Sequence, residues 1–164
     1  MSIVTDILRT YRSPRAVQAR RMEGVPREDR VLASLMAGCA LIYVAQWPRL
    51  AREASVDPSV TVESLLAGAL FAWLMVMPLV LYALALILAG SLKLIGGQAT
   101  GYVCRAALAW ALLASTPLWL FAGLLGGFAP GAGWALVSAL ALLAVVVFTG
   151  AGVSAVTQSG KELA

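Results

Sequence analysis

Ser64–Leu92, SLLAGALFAWLMVMPLVLYALALILAGSL, runs for 29 residues without a charged side chain. A bilayer's hydrocarbon core is about 30 Å thick, so roughly 20 apolar helical residues cross it. The stretch is long enough for one tilted or kinked crossing and too short for two. It ends at Lys93 and Gly96-Gly97, and beyond Arg105 a second uncharged run extends from Ala106 to Gly160. As one helix that run would be roughly 80 Å long at about 1.5 Å per residue, so it has to fold back. The break is expected at Gly126-Gly127-Phe128-Ala129-Pro130-Gly131-Ala132-Gly133. With Val31–Pro48 added, four crossings are expected near 30–48, 63–92, 104–125 and 134–157. The fold class is therefore all-α, a polytopic helical membrane bundle. Residues 1–29 form a cytoplasmic amphipathic segment and 30–164 the transmembrane domain.

Composition agrees. The chain is 61% hydrophobic and 12% charged, against about 25% charged in ordinary soluble domains. Its cations do not form a nucleic-acid surface, because they sort by membrane side. Arg9, Arg12, Arg15, Arg20, Arg21, Arg27 and Arg30 precede the first span; Lys93, Arg105 and Lys161 follow on the same side, leaving only Arg49 and Arg52 opposite. Ten against two places both termini and the 93–105 loop in the cytoplasm, with residues 49–63 as the external loop. Arginine supplies ten of the twelve cations, which together with the abundant Ala and Leu fits a GC-rich bacterial genome and hence a bacterial inner membrane. No cleavable signal peptide is expected from a polar, Arg-rich start. Cys39 and Cys104 lie at different depths and read as small apolar residues, not as a disulfide.

Residues 2–12 are expected to form an interfacial helix capped by Ser2. Ile3, Val4, Ile7, Leu8 and Tyr11 make one apolar stripe; Asp6, Arg9, Thr10 and Arg12 fill the other face. Such a helix lies in the headgroup layer, where Arg9 and Arg12 attract anionic lipid, or it packs on the protein's own loop. Ser13-Pro14 reads as a stop and restart, Ser13 as N-cap and Pro14 at the first helical position, with a second short helix running through Val17 to Met22 and ending at Gly24. Pro26 opens the first membrane helix, which is expected to close at Trp47-Pro48. Asp57-Pro58-Ser59 is a turn, and Trp134 marks an interface.

Chemistry is excluded more readily than it is found. The absence of histidine removes His-ligated metals, bis-His haem and the Ser-His triad. No charged residue falls deep inside a span, so the usual markers of proton relays and ion pathways are missing. No catalytic, cofactor-binding or metal-binding residue is assigned, and no enzymatic activity is expected. The spans do carry small residues at helical spacing: Gly68 and Ala72; Ala107, Ala111 and Ser115; Gly150 and Ser154. Such faces let membrane helices approach closely, within the bundle or against a partner. Pro78 and Pro117 lie at similar depths and would kink neighbouring antiparallel helices, freeing carbonyls on Leu74 and Leu113 that lipid cannot satisfy. Ser115 and Thr116 are near enough to help. The kinks improve packing or line a shared polar pocket.

The amphipathic start with Ser13-Pro14, a span ending in Lys93-Leu94-Ile95-Gly96-Gly97, and a further span holding Pro117 resemble the bacterial branch of the Yip family of Rab-interacting membrane proteins. That family's domain is described with five spans, where four are counted here, so one is missing, shortened or merged in this chain. The Asp-Leu-Tyr-Gly-Pro stretch of its eukaryotic branch is absent from residues 1–30. The resemblance implies a polytopic domain that acts through partners or lipids, without catalysis. The expected function is a non-enzymatic membrane scaffold or accessory subunit that contacts a membrane partner or a second copy. The alternative is an oligomeric small-solute or lipid transporter with its pathway near Pro78 and Pro117.

Overall fold

Ten consecutive residues, Ala107 to Thr116, are buried on every side, and the rest of the chain is arranged around the helix that carries them. The structure, a computed structural model, describes residues 3–94 and 99–162, with side chains as far as Ala155. Ser2, the Ile95-Gly96-Gly97-Gln98 part of the loop and the side chain of Lys161 lie outside the described residues.

The elements are α1 (Ile3–Arg12), α2 (Pro14–Met22), α3 (Glu28–Val56), α4 (Val62–Phe71), a π-helical turn (Ala72–Val76), α5 (Met77–Leu94), α6 (Gly101–Phe128) and α7 (Ala132–Glu162). Four stretches are long and apolar enough to cross a membrane: Glu28–Val56, Val62–Leu94, Gly101–Phe128 and Ala132–Ala155. The protein is a multi-pass helical membrane bundle.

Two boundaries differ from expectation. Pro48 does not end the first crossing; it lies inside α3. A proline removes one donor and bends a helix, but the following residues decide whether it resumes. Here Arg49-Leu50-Ala51-Arg52-Glu53-Ala54 are strong helix formers, and Arg49 pairs with Glu53 one turn on at 3.3 Å. The connection expected over 49–63 therefore shrinks to Asp57–Thr61. Its turn is held by the Asp57 carboxylate, which accepts from Ser59 N at 2.9 Å and Ser59 Oγ at 2.6 Å. The second correction concerns Arg105. It belongs to α6, not to the loop, because Thr100 caps that helix by accepting from Val103 N. Elsewhere Ser13 and Pro14 take the N-cap and first helical positions of α2, and Gly24 follows that helix with φ of 88°.

The second crossing accommodates its proline by underwinding. Just before Pro78 the helix widens into the π turn, where Met77 N–H bonds the Ala72 carbonyl five residues back. The extra residue per turn is a common way to absorb a break in the hydrogen-bond ladder.

Helices α3 and α6 run parallel and pack along their whole length. At one end Arg105 pairs with Glu28, and Tyr102 Oη accepts from Arg27 N at 3.1 Å. At the other, Gly123 and Gly127 lie against Ala45 and Pro48. A Cβ on Gly123 would fall on the Ala45 carbonyl oxygen, and one on Gly127 would sit 2.5 Å from Pro48 Cβ. These two glycines, four residues apart, let the backbones meet; without a hydrophobic drive in lipid, that close packing is what holds membrane helices together. Helix α7 covers a second side of α6, and α5 touches it more lightly.

Candidate functional site

The helix expected over residues 2–12 is present as α1, but it turns its polar edge inward. Asp6 and Thr10 are buried, whereas Ile3, Val4 and Leu8 are exposed, Ile7 is half-buried, and Arg9 and Arg12 point outward. The inward edge is fully partnered. Asp6 receives Arg20 at 2.5 Å and Arg21 at 3.5 Å from α2. Thr10 Oγ1 donates to the Asp6 carbonyl at 2.7 Å and accepts from Trp110 Nε1 on α6 at 3.1 Å. The Arg21 guanidinium lies 3.6 Å over the Trp110 ring, a cation–π contact. Burial lowers the Arg21 pKa, with Asp6 opposing that effect and Arg30 and Arg20 adding to it.

Tyr11 divides between the two faces. Its hydroxyl donates to the Ala114 carbonyl at 3.0 Å, and its ring meets Phe148 of α7 edge-on at 5.3 Å. Burial raises its pKa. Helix α2 is tied to α7 by Gln18, whose Nε2 donates to the Phe148 carbonyl at 2.5 Å. This contact needs Gly152: a Cβ there would run into the Gln18 side-chain amide and come 2.9 Å from Ala107 Cβ. The α1–α2 hairpin is thus docked on α6 and α7 by these polar contacts together with Val17 and Ile7, which pack into the cluster of Trp110, Leu113 and Phe148, and it leaves Ile3, Val4 and Leu8 outward.

The small-residue faces part company. Ala107, Ala111 and Ser115 are fully buried, against α7 on Ala107's side. Gly68 and Ala72 are exposed, and a Cβ on Gly68 or on Gly150 would touch nothing. Gly150 and Ser154 instead line a groove of about 800 Å³ between α5 and α7, walled by Leu81, Leu84, Leu88 and Val146 and floored by Leu108 of α6.

Neither Pro78 nor Pro117 lines the groove between α5 and α7. Pro117 is exposed and Pro78 half-exposed. Thr116 Oγ1 donates at 2.8 Å to the Leu113 carbonyl, the one Pro117 leaves without a helical donor. Ser115 Oγ donates to the Leu112 carbonyl, also at 2.8 Å. Both hydroxyls of this level are therefore committed to their own helix. No group of three or more His, Cys, Asp or Glu able to hold a metal occurs among the described residues.

Several structural residues escaped the pattern reading. Gly123 and Gly127 carry the small-xxx-small signal, yet Gly126-Gly127 reads equally well as part of the interhelical break. Gly152 lies beside the Gly150 face, and only the neighbouring helix distinguishes them. No protein-family model, curated protein or solved structure matches this chain.

Proposed function

We propose that the protein is a non-enzymatic scaffold or accessory subunit that binds a transmembrane helix, from a partner or a second copy, in the groove between α5 and α7. One observation carries this reading: the crossing Val62–Leu94 is by far the least buried of the four, with only 11% of its most apolar window covered by the chain. A helix built only to complete this bundle would bury a stripe against its neighbours. This one buries only Leu81, Ala85 and Ala89, none of its residues from Val62 to Val76, and leaves an apolar groove beside α7, open at Gly150, where another backbone can approach. The transport alternative has less behind it, because the hydroxyls beside Pro117 bond their own helix. The layout that resembles the bacterial Yip branch is in keeping with a scaffold, as is the charge bias that puts the arginine-rich end in the cytoplasm of a bacterial inner membrane.

The test is purification in mild detergent at native expression level, with crosslinking from the groove. The native chain should carry a stoichiometric membrane-protein partner or a second copy. Gly150→Trp starts from a Cβ position with nothing within 4 Å and places its ring in the open groove, so the fold should survive while the associated chain is lost. A strictly monomeric native protein, with no crosslink from the groove, would overturn the reading.

A further inference from the structure

On a different face of α6 from the groove, the arginine-rich end holds a cavity of about 240 Å³. Four arginines line it from two directions: Arg20 and Arg21 from α2, Arg27 and Arg30 from the entry to α3. Trp110 and Tyr102 of α6 lie on its far side. We propose that this cavity is a binding site for a phosphate group carried by an anionic lipid or a free phosphate.

Charge, shape and position support this assignment. Asp6 is shared between Arg20 and Arg21, and Asp29 pairs with Arg27 at 2.9 Å. Glu23 also lines the cavity, so the immediate balance is four cations against three carboxylates. Arg30 makes no ion pair among the described residues. It is also one of the charges that disfavour a proton on Arg21. An anion seated between Arg21 and Arg30 would remove that repulsion and supply the missing counter-charge. Guanidinium forks match a phosphate's paired oxygens, and the Arg21 guanidinium carbon is held 3.6 Å over the Trp110 ring beside Asp6. Toward the bundle the lining turns apolar, at Val31, Ala106 and Ala109. A cationic rim over an apolar floor at the end of a crossing is the arrangement that recognises a headgroup at the membrane boundary. This proposal does not depend on what occupies the groove.

The experiment uses the full chain in nanodiscs of neutral phosphatidylcholine, with or without phosphatidylglycerol, and native mass spectrometry to count retained phospholipid. Arg30→Gln should lower phosphatidylglycerol retention about tenfold, the loss of one charge-assisted hydrogen bond. Arg30 is exposed and unpaired, so the fold should not suffer. Ala106→Leu, which occupies the cavity and keeps every charge, should lower retention as well. Arg15→Gln with Lys93→Gln removes two exposed charges from outside the cavity and should change retention little. A second arm adds inorganic phosphate to discs of phosphatidylcholine alone. Binding there with the same dependence on Arg30 and Ala106, and no preference for phosphatidylglycerol, identifies free phosphate as the ligand. Equal losses from the outside pair and from Arg30→Gln, or binding of neither probe, would overturn the site.

Discussion

The contact between α3 and α6 makes a quantitative claim about one atom. Adding a methyl at Gly123 places it on the Ala45 carbonyl oxygen, 2.7 Å from the carbonyl carbon and 3.2 Å from Cα. Carbon atoms in comfortable contact lie about 3.5–4.0 Å apart, so the helices must part locally by about 1 Å. The obstacle is helical backbone and has no rotamer to change. Overpacking of this kind costs about 1–3 kcal/mol. Alanine also gains about 1 kcal/mol over glycine in a helix interior, which would hide part of the cost. Gly68→Ala supplies the correction, since a Cβ there meets nothing. The difference between the two variants cancels the propensity gain and leaves the contact, about 1–3 kcal/mol in favour of Gly68→Ala. The measurement is unfolding of the purified chain in mixed detergent–SDS micelles, followed by tryptophan fluorescence. Ala45→Gly should not rescue Gly123→Ala, because the clash is with the carbonyl of Ala45 and not its side chain. If Gly123→Ala and Gly68→Ala have equal stability, or if Ala45→Gly restores the loss, the close approach of α3 and α6 is not as described.

Thr116→Val removes the donor that reaches the Leu113 carbonyl and should cost roughly 1–2 kcal/mol in the same assay; Pro117→Ala, which returns a backbone donor, should recover much of that loss in the double variant, and strict additivity would count against the bond. For orientation, Ser55→Cys should react with a membrane-impermeant maleimide on intact cells, whereas Ser13→Cys should react only after permeabilisation; the reverse pattern would invert the topology.

The four crossings were legible because absence of charge is a property of composition, and lipid tolerates little else over about 30 Å. Their partners were not legible, because spacing identifies a small face without saying what lies opposite. Gly68, Gly123, Gly150 and Gly152 all sit in apolar helices, yet two of them touch nothing and two admit a neighbouring chain segment. The end of α3 was misplaced for a related reason. Trp47-Pro48 is a common boundary signal, but the Arg49–Glu53 pair and the alanines around it continue the helix past the proline. The hydroxyls near Pro117 were legible as local chemistry: Thr116 lies beside the proline, and its reach to the carbonyl four residues before Pro117 is set by helix geometry alone.

The α1–α2 hairpin shows why a strong amphipathic pattern leaves orientation open. In water, the apolar stripe of Ile3, Val4 and Leu8 would have to face the protein, and burial of each such side chain would be worth about 1.5–3 kcal/mol. Beside a bilayer that gain is available on the lipid side too, so it no longer selects the inward face. The choice falls instead to the polar residues, which lose most if left unpaired in a low-dielectric layer. Asp6 finds two arginines, Thr10 a carbonyl and an indole, and Gln18 the Phe148 carbonyl, each only by turning toward α2, α6 or α7. The docked face is thus selected by the hydrogen bonds it completes. The same docking brings Arg21 over Trp110 and, with Arg20, forms one side of the cationic cavity, so the hairpin's orientation and the proposed phosphate site rest on the same set of contacts.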